Sequence, residues 1–351
     1  MATSLTTTLG TWASVPMGRL GQPLNTFWQL FLVPAHGHRW ADHAGQLAVA
    51  DNGGLLMAGA GGRSLVVAVR PSDQLRFSAV VSTTDGRSWG PVPPLNGTVA
   101  SLATGADGSD VALVQGPGGQ AAVLASSGGN AWRTLLSGTA WGRRGAGRRC
   151  APEALTAVAV LAPGTPVVGT ACTRPGTTGV FVAHGKLWAP FGGAHLGGRA
   201  DGSVVQVLSL RAGGGVVSAL FAMGTGRASR LAEGWGRVHG PWRLSAPLAM
   251  APHGSLVSVG PAPRGGEFVL YRVGRTGLRL AVVDGPGRRW RSLPPPPAGT
   301  ATVAFPGPGV VEALAAHGST MTVWRLGGTP AHWAPVQRLH VDILYGSSNL
   351  R

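Results

Sequence analysis

Trp40, Trp89, Trp132, Trp188, Trp242, Trp290 and Trp333 punctuate this chain at intervals from 43 residues (Trp89 to Trp132) to 56 (Trp132 to Trp188), and no other feature constrains the fold as much. Glycine stands three residues before Trp40, Trp89, Trp132, Trp188 and Trp290, and before Trp141 as well. With 57 Gly among 351 residues, about two of the 12 Trp should have such a glycine by chance, so the pairing is a pattern. Residues 27–40, 77–89, 121–132, 180–188 and 278–290 each run from a β-rich segment through a polar turn to the tryptophan. Self-similarity at about 40–50 residues marks a repeat architecture whose unit is one four-stranded propeller blade.

Strand candidates fill the intervals. Residues 54–59, 64–70, 77–82 and 89–92 read as the strands of one blade, and residues 100–104, 111–115, 121–125 and 132–136 as those of the next. Residues 155–161, 204–210, 256–259 and 301–305 are candidate inner strands of later blades. The reading is an all-β propeller of seven blades, with six as the second choice because the Trp235/Trp242 repeat is irregular. Residues 1–23 read as an irregular segment and 24–351 as a single propeller domain, with residues 141–149 as an insertion loop. A strand at 341–345 is expected to join the N-terminal blade and close the ring, which would hide the sheet edges.

Composition supports many short strands joined by turns. The 57 Gly and 27 Pro punctuate Val/Ala/Leu runs, and no segment holds the apolar period of an amphipathic helix. The net charge of +16 comes almost wholly from arginine, since Lys186 is the only lysine. Two readings stand: an Arg/Ala/Gly/Pro coding bias that scatters arginine singly over turns, or a surface for a polyanion. The second would use Arg143, Arg144, Arg148 and Arg149, or the group Arg288, Arg289 and Arg291.

Cys150 and Cys172 flank a predicted hairpin that brings them within bridging reach, so a structural disulfide and an oxidising compartment are expected. No CxxC spacing or neighbouring histidine supports a metal or redox pair. Residues 1–23 lack the basic and apolar regions of an export signal. The expected location is extracellular or the cell envelope, with an export signal preceding this start; the alternative is cytoplasmic.

Residues 82–89, Ser-Thr-Thr-Asp-Gly-Arg-Ser-Trp, resemble the Asp-box of the bacterial neuraminidase repeat, Ser-x-Asp-x-Gly-x-Thr-Trp. Ser82, Gly86, Ser88 and Trp89 fit that register, while Thr84 takes the third position and Asp85 falls one residue late. Ser127, His184-Gly185 and Asp284 mark weaker copies. The chain thus resembles the sialidase-like propeller superfamily as a divergent member. The resemblance implies that Ser82, Asp85, Gly86 and Trp89 are structural, with hydroxyl or acid bonding backbone N–H groups and Trp packing between sheets.

A sialidase-type site needs an arginine triad, a Tyr nucleophile paired with Glu, and an acid/base Asp. The only tyrosines are Tyr271 and Tyr345. Glu267 and Tyr271 lie at even spacing on one predicted strand and share a face. They are the best candidate pair, and a polar strand face is the competing reading. His36, His38, Asp42 and His43 are the densest set of metal-ligand types, against the reading of a solvated loop. Residues 51–54 and 107–110 carry carboxylates in turn sequences without the full calcium-loop pattern. No cofactor and no metal is expected. The expected function is a non-catalytic binding or scaffold module for a glycan or a protein at one end of the ring, with an exo-sialidase-type glycoside hydrolase as the alternative.

Overall fold

The structure is a computed structural model and describes residues 3–18, 26–43, 52–60, 64–71, 77–116, 119–127, 131–143, 150, 152–162, 164–192, 196, 204–225, 228–238, 240–251, 254–274 and 277–341. The chain is all-β and runs through successive antiparallel meanders. The first contains β1 (Thr3–Thr7), β2 (Gly10–Gly18), β3 (Thr26–Pro34) and β4 (Ala41–Asp42). The second contains β5 (Asn52–Ala60), β6 (Ser64–Pro71), β7 (Phe77–Thr83) and β8 (Gly90–Asn96). The third contains β9 (Thr98–Thr104), β10 (Ser109–Gln115), β11 (Ala121–Ser127) and β12 (Arg133–Ser137).

A short helix α1 (Gly138–Arg143) leads to the fourth: β13 (Pro152–Leu161), β14 (Thr165–Cys172), β15 (Val180–His184) and β16 (Leu187–Pro190). The fifth contains β17 (Val204–Gly213), β18 (Val216–Thr225), β19 (Ala228–Arg237), β20 (Arg243–Leu244) and the short β21 (Leu248–Ala249), which also pairs with β19. The sixth contains β22 (Ser255–Ala262), β23 (Gly266–Val273), β24 (Gly277–Val283) and β25 (Arg291–Leu293). The seventh contains β26 (Thr300–Gly307), β27 (Val310–His317), β28 (Thr320–Gly327) and β29 (His332–His340). Hydrogen bonding groups these strands into six sheets, because β14 pairs with β17 at Ala171↔Gln206 and Cys172↔Val205 and fuses the fourth and fifth meanders into one nine-stranded sheet.

Two compact units divide the chain: Met1–Val92 with His253–Asp284 and Arg291–Arg351, and Pro93–Pro252 with Gly285–Trp290. In the first unit the meanders pack face to face. Trp12, Leu30 and Leu32 meet Leu55, Leu65, Val67 and Val69 between the first and second. Val15, Met17, Phe31 and Trp40 meet Leu314, Met321 and Val323 between the first and seventh. Phe268, Leu270, Leu280 and Val282 meet Val303 and Ala313 between the sixth and seventh. In the second unit Val111, Leu113 and Val123 meet Val158, Phe181 and Trp188 between the third and fourth, and Val180 and Phe191 meet Val207, Phe221 and Trp242 between the fourth and fifth. Inward apolar residues alternate with outward ones, as Val205 and Val207 do with Val204 and Gln206 on β17, because a strand has a side-chain period of two.

Three of the periodic tryptophans share one bond pattern. Trp132 Nε1 donates to Pro93 O (2.7 Å), Trp242 Nε1 to Phe191 O (2.8 Å) and Trp333 Nε1 to Pro294 O (3.1 Å). Each indole crosses to the backbone of the preceding meander, joining apolar contact with one satisfied polar group.

Three expectations about the ends and the insertion change. Residues 1–23 are not an irregular segment: β1 and β2 lie there, and Trp12 and Val15 are completely buried. Pro16 and the flanking glycines mask a strand that pairs with β3 from Gly10↔Pro34 to Gly18↔Thr26. The first sheet therefore has its own four strands, and the C-terminal strand does not complete it; β29 pairs with β28 in the last sheet. Of residues 341–345, the Val341 amide bonds Ser319 O and the others lie outside the described residues. Within 141–149, Trp141 sits on α1 rather than in a loop and is buried against Phe181 and Trp188. Among the described residues no helix is long and apolar enough to cross a membrane.

Candidate functional site

The turn after β7 is sealed by Thr83 and Asp85. The Gly86 amide donates to Thr83 Oγ1 (2.9 Å), and the Arg87 and Ser88 amides donate to Asp85 Oδ1 (2.8 and 2.7 Å). Those two amides hold the Asp85 carboxyl well below the usual carboxylate range. The hydroxyl that seals the turn is thus Thr83, one residue after Ser82, which lies on β7 opposite Val66. Counted from Thr83, the acid stands at the third position of the repeat, and the glycine comes one residue early. Gly86 takes φ +74° and lies over Leu32 and Trp12, where a left-handed backbone is needed. Trp89 meets Trp12 edge-on at 6.0 Å. Thr83, Asp85 and Gly86 thus close the turn through local hydrogen bonds, while Asp85 itself lies exposed.

Glu267 and Tyr271 lie on β23 and share a face, as their spacing requires. Both are buried, and a strand rises about 3.3 Å per residue, so about 13 Å separates them. They do not form a hydrogen-bonded nucleophile–base pair. Burial also raises the Tyr271 pKa, against the pull of Arg279, which is the wrong direction for a nucleophile. Tyr345 lies outside the described residues.

His36 and His38 are exposed, whereas His43 packs edge-on against Trp12 at 5.5 Å. Burial lowers the His43 pKa, opposed by Asp42. Among the described residues no three His, Cys, Asp or Glu side chains gather as a metal site. Cys150 and Cys172 form a disulfide beside the Pro152↔Cys172 pair of β13 and β14, as the hairpin geometry implies. The side chain of Arg143, and Arg144, Arg148 and Arg149 entirely, lie outside the described residues. So does Asp51.

Asp107 makes a local turn, accepting from the Ser109 amide (3.1 Å) and hydroxyl (2.6 Å). Asp110 differs. It faces Thr104 on β9 and Ser126 on β11, only 4% exposed, and its Oδ1 and Thr104 Oγ1 are both buried without a hydrogen-bond partner among the described residues. Burial pushes its pKa up to about 6 from 3.8, and the nearby Asp107 charge acts in the same direction. A raised folded-state pKa means the folded chain keeps a proton that the unfolded chain releases. Stability from this group is therefore full below about pH 4 and falls as pH rises to about 6. Asp110→Asn removes that slope and lets the new amide donate to Thr104. It is expected to raise the unfolding free energy at pH 7 by about 1–2 kcal/mol, with partial solvent screening allowed for, and to leave it unchanged at pH 4. Denaturation curves at the two pH values check this.

One cleft of about 420 Å³ combines unpaired charge with apolar walls, and it lies between the sixth and seventh meanders. Its rim is the turn Pro263–Gly265 joining β22 to β23, and the tip of the β26–β27 hairpin at Gly309. Val282, Leu293, Phe305, Val311 and Leu326 form its walls; Arg264, Asp284 and Arg291 supply its charge. Among the described residues the side chains of these three have no hydrogen-bond or ion-pair partner. Arg264 is also the one non-glycine described residue with positive φ (φ 62°, ψ 25°). The sequence reading placed Arg291 only in an arginine group and Asp284 only as a weak Asp-box acid, and it passed over Arg264 and Phe305. A Pro-Arg-Gly-Gly stretch between two strand runs was the available signal for the turn.

No protein-family model matches the sequence, and no curated protein matches it. Among solved structures the chain is similar to prolyl oligopeptidase B from Galerina marginata, at 9% identity and a TM-score of 0.52 over 97% of this chain and 51% of that one. It is also similar to the fucose-recognising lectin of Aleuria aurantia, described as a six-bladed β-propeller, at 14% identity and a TM-score of 0.48 over 85% and 95% of the two chains. A third is the polysaccharide lyase ulvan lyase, at 11% identity and a TM-score of 0.48 over 83% and 80%. The chain spans about half the length of the prolyl peptidases it matches, 46% and 51%. At these identities the likeness is one of fold.

Proposed function

We propose that this chain is a seven-bladed β-propeller, the nine-stranded sheet counting as two blades, and that it is a non-catalytic binding module for a glycan. The observation that carries this reading is the cleft of about 420 Å³ with Arg264, Asp284 and Arg291, unpaired among the described residues, above apolar walls, a size and mixture typical of small-ligand sites of about 300–1,000 Å³. The cleft offers charged donors and an acceptor but no paired nucleophile and base. The rival glycosidase reading needs Glu267 and Tyr271 to act together, and their separation along β23 argues against it. The buried disulfide fits an oxidising location outside the cytoplasm.

A panel of immobilised glycans together with a fluorogenic sialoside tests both readings. The expected result is retention of at least one glycan and no release of fluorophore. Turnover that disappears in both Glu267→Ala and Tyr271→Phe would replace the binding module with the hydrolase.

A further inference from the structure

We propose that the cleft between the sixth and seventh meanders is a subsite for a sugar bearing one negative charge, a hexuronate or monosulfated residue, which rests on the reading of the chain as a glycan-binding module. Charge counting sets the ligand class. The lining carries two guanidiniums and one carboxylate, a net single positive charge, so a monoanion neutralises it. Asp284 works against a densely charged polyanion, because it would sit among like charges. The same carboxylate suits a sugar, whose ring hydroxyls donate hydrogen bonds to it. Arginine is the side chain that grips planar carboxylate or sulfate oxygens with two parallel N–H groups. Phe305, Val311, Leu293 and Leu326 supply an apolar wall for the C–H face of a pyranose.

The turn that carries Arg264 adds an independent observation. Arg264 and Gly265 both take positive φ, 62° and 73°, at the centre of the tight link between β22 and β23. Positions of this kind are held without strain by Gly or Asn, and an arginine there pays in backbone conformation. The guanidinium is not used for an ion pair inside the described residues. A side chain held at a strained rim position and left without a partner is placed for something that arrives from solvent.

The experiment is calorimetric titration of the full chain with methyl glucuronide, galactose 6-sulfate, neutral methyl glucoside and an acidic peptide. The glucuronide or the sulfate should bind, with affinity that falls as salt is added. The glucoside and the peptide should bind at least tenfold more weakly. Arg264→Gly removes the guanidinium and relieves the backbone, so it should keep or raise the melting temperature while losing about tenfold or more in affinity. Arg291→Ala should lose a similar factor, and Arg288→Ala, outside the cleft lining, should lose none. Equal binding of neutral and acidic sugar, or tighter binding of the peptide, would overturn the proposal. If a glycan binds but Arg264→Gly and Arg291→Ala bind it as wild type does, the subsite assignment falls and the binding module stands. If no panel glycan and no acidic sugar binds, both fall.

Discussion

Alanine at position 40 is expected to cost about 3–5 kcal/mol of unfolding free energy, the largest single effect the structure points to. Trp40 is 3% exposed and fills the core between the first and seventh meanders. It is also the hub of a polar clamp between them. Its indole N–H donates to Glu312 Oε2 (2.7 Å), its amide donates to Gln337 Oε1 (2.9 Å), and its carbonyl accepts from Gln337 Nε2 (2.8 Å). Arg325 completes the group by donating from Nε (2.9 Å) and Nη2 (2.6 Å) to Glu312 Oε1. Removing the indole opens a cavity and leaves a buried carboxylate oxygen without its donor. Trp40→Phe separates the two contributions: it keeps much of the volume and loses the bond, at about 1–3 kcal/mol. Denaturant midpoints for both variants check the ordering Ala worse than Phe worse than wild type. Equal stability of Trp40→Phe and wild type would mean that the Glu312 bond contributes nothing. The clamp also explains how the terminal meanders join without sharing a strand. Side chains and the Gly18↔Gly318 bridge do what a strand exchange was expected to do.

The tryptophan period was legible because a large indole recurs at the packing surface of each repeat, and in Trp132, Trp242 and Trp333 it also bonds a neighbouring backbone carbonyl. The disulfide was legible for a similar reason: a hairpin of two apolar runs fixes where its ends meet. What was hidden depended on information that residue type does not carry. Pro16 and the flanking glycines of β2 look like loop chemistry, yet pairing along the whole of β3 overrides them. Asp107 and Asp110 look alike in Asp-Gly-Ser-Asp, yet Asp107 falls in the turn before β10 and stays exposed, whereas Asp110 lies on the strand and is buried on the same face as Ala112 and Val114. The register of the Asp85 turn shifted by one because Ser82, Thr83 and Thr84 each carry a hydroxyl that could accept the turn's amide. Arg264 was invisible because its distinguishing property is a backbone angle at a position where glycine or asparagine is the expected residue. The charges of the cleft come from three separated segments, near 264, 284 and 291, and their convergence is a product of the sheet register.

Loss of the Cys150–Cys172 bridge is the second large effect expected. The cysteines are 22 residues apart, and closing a loop of that length restricts the unfolded chain by about 3 kcal/mol. Both sulfurs are completely buried, next to Thr170 Oγ1 at 3.1 and 3.4 Å, so no partner is lost from solvent and the cost falls on the fourth meander. Cys150→Ala with Cys172→Ala should lower the unfolding free energy by that amount, with hydrogen exchange rising first in β13 and β14. Burial has a further consequence for reduction. A thiol reagent must wait for local opening, so the native protein should resist mild reductant and show no free thiols. Added reductant should then leave the double-alanine variant unaffected. Rapid reduction of the folded protein without any change in stability would contradict both the buried position of the bridge and its role in holding β13 to β14.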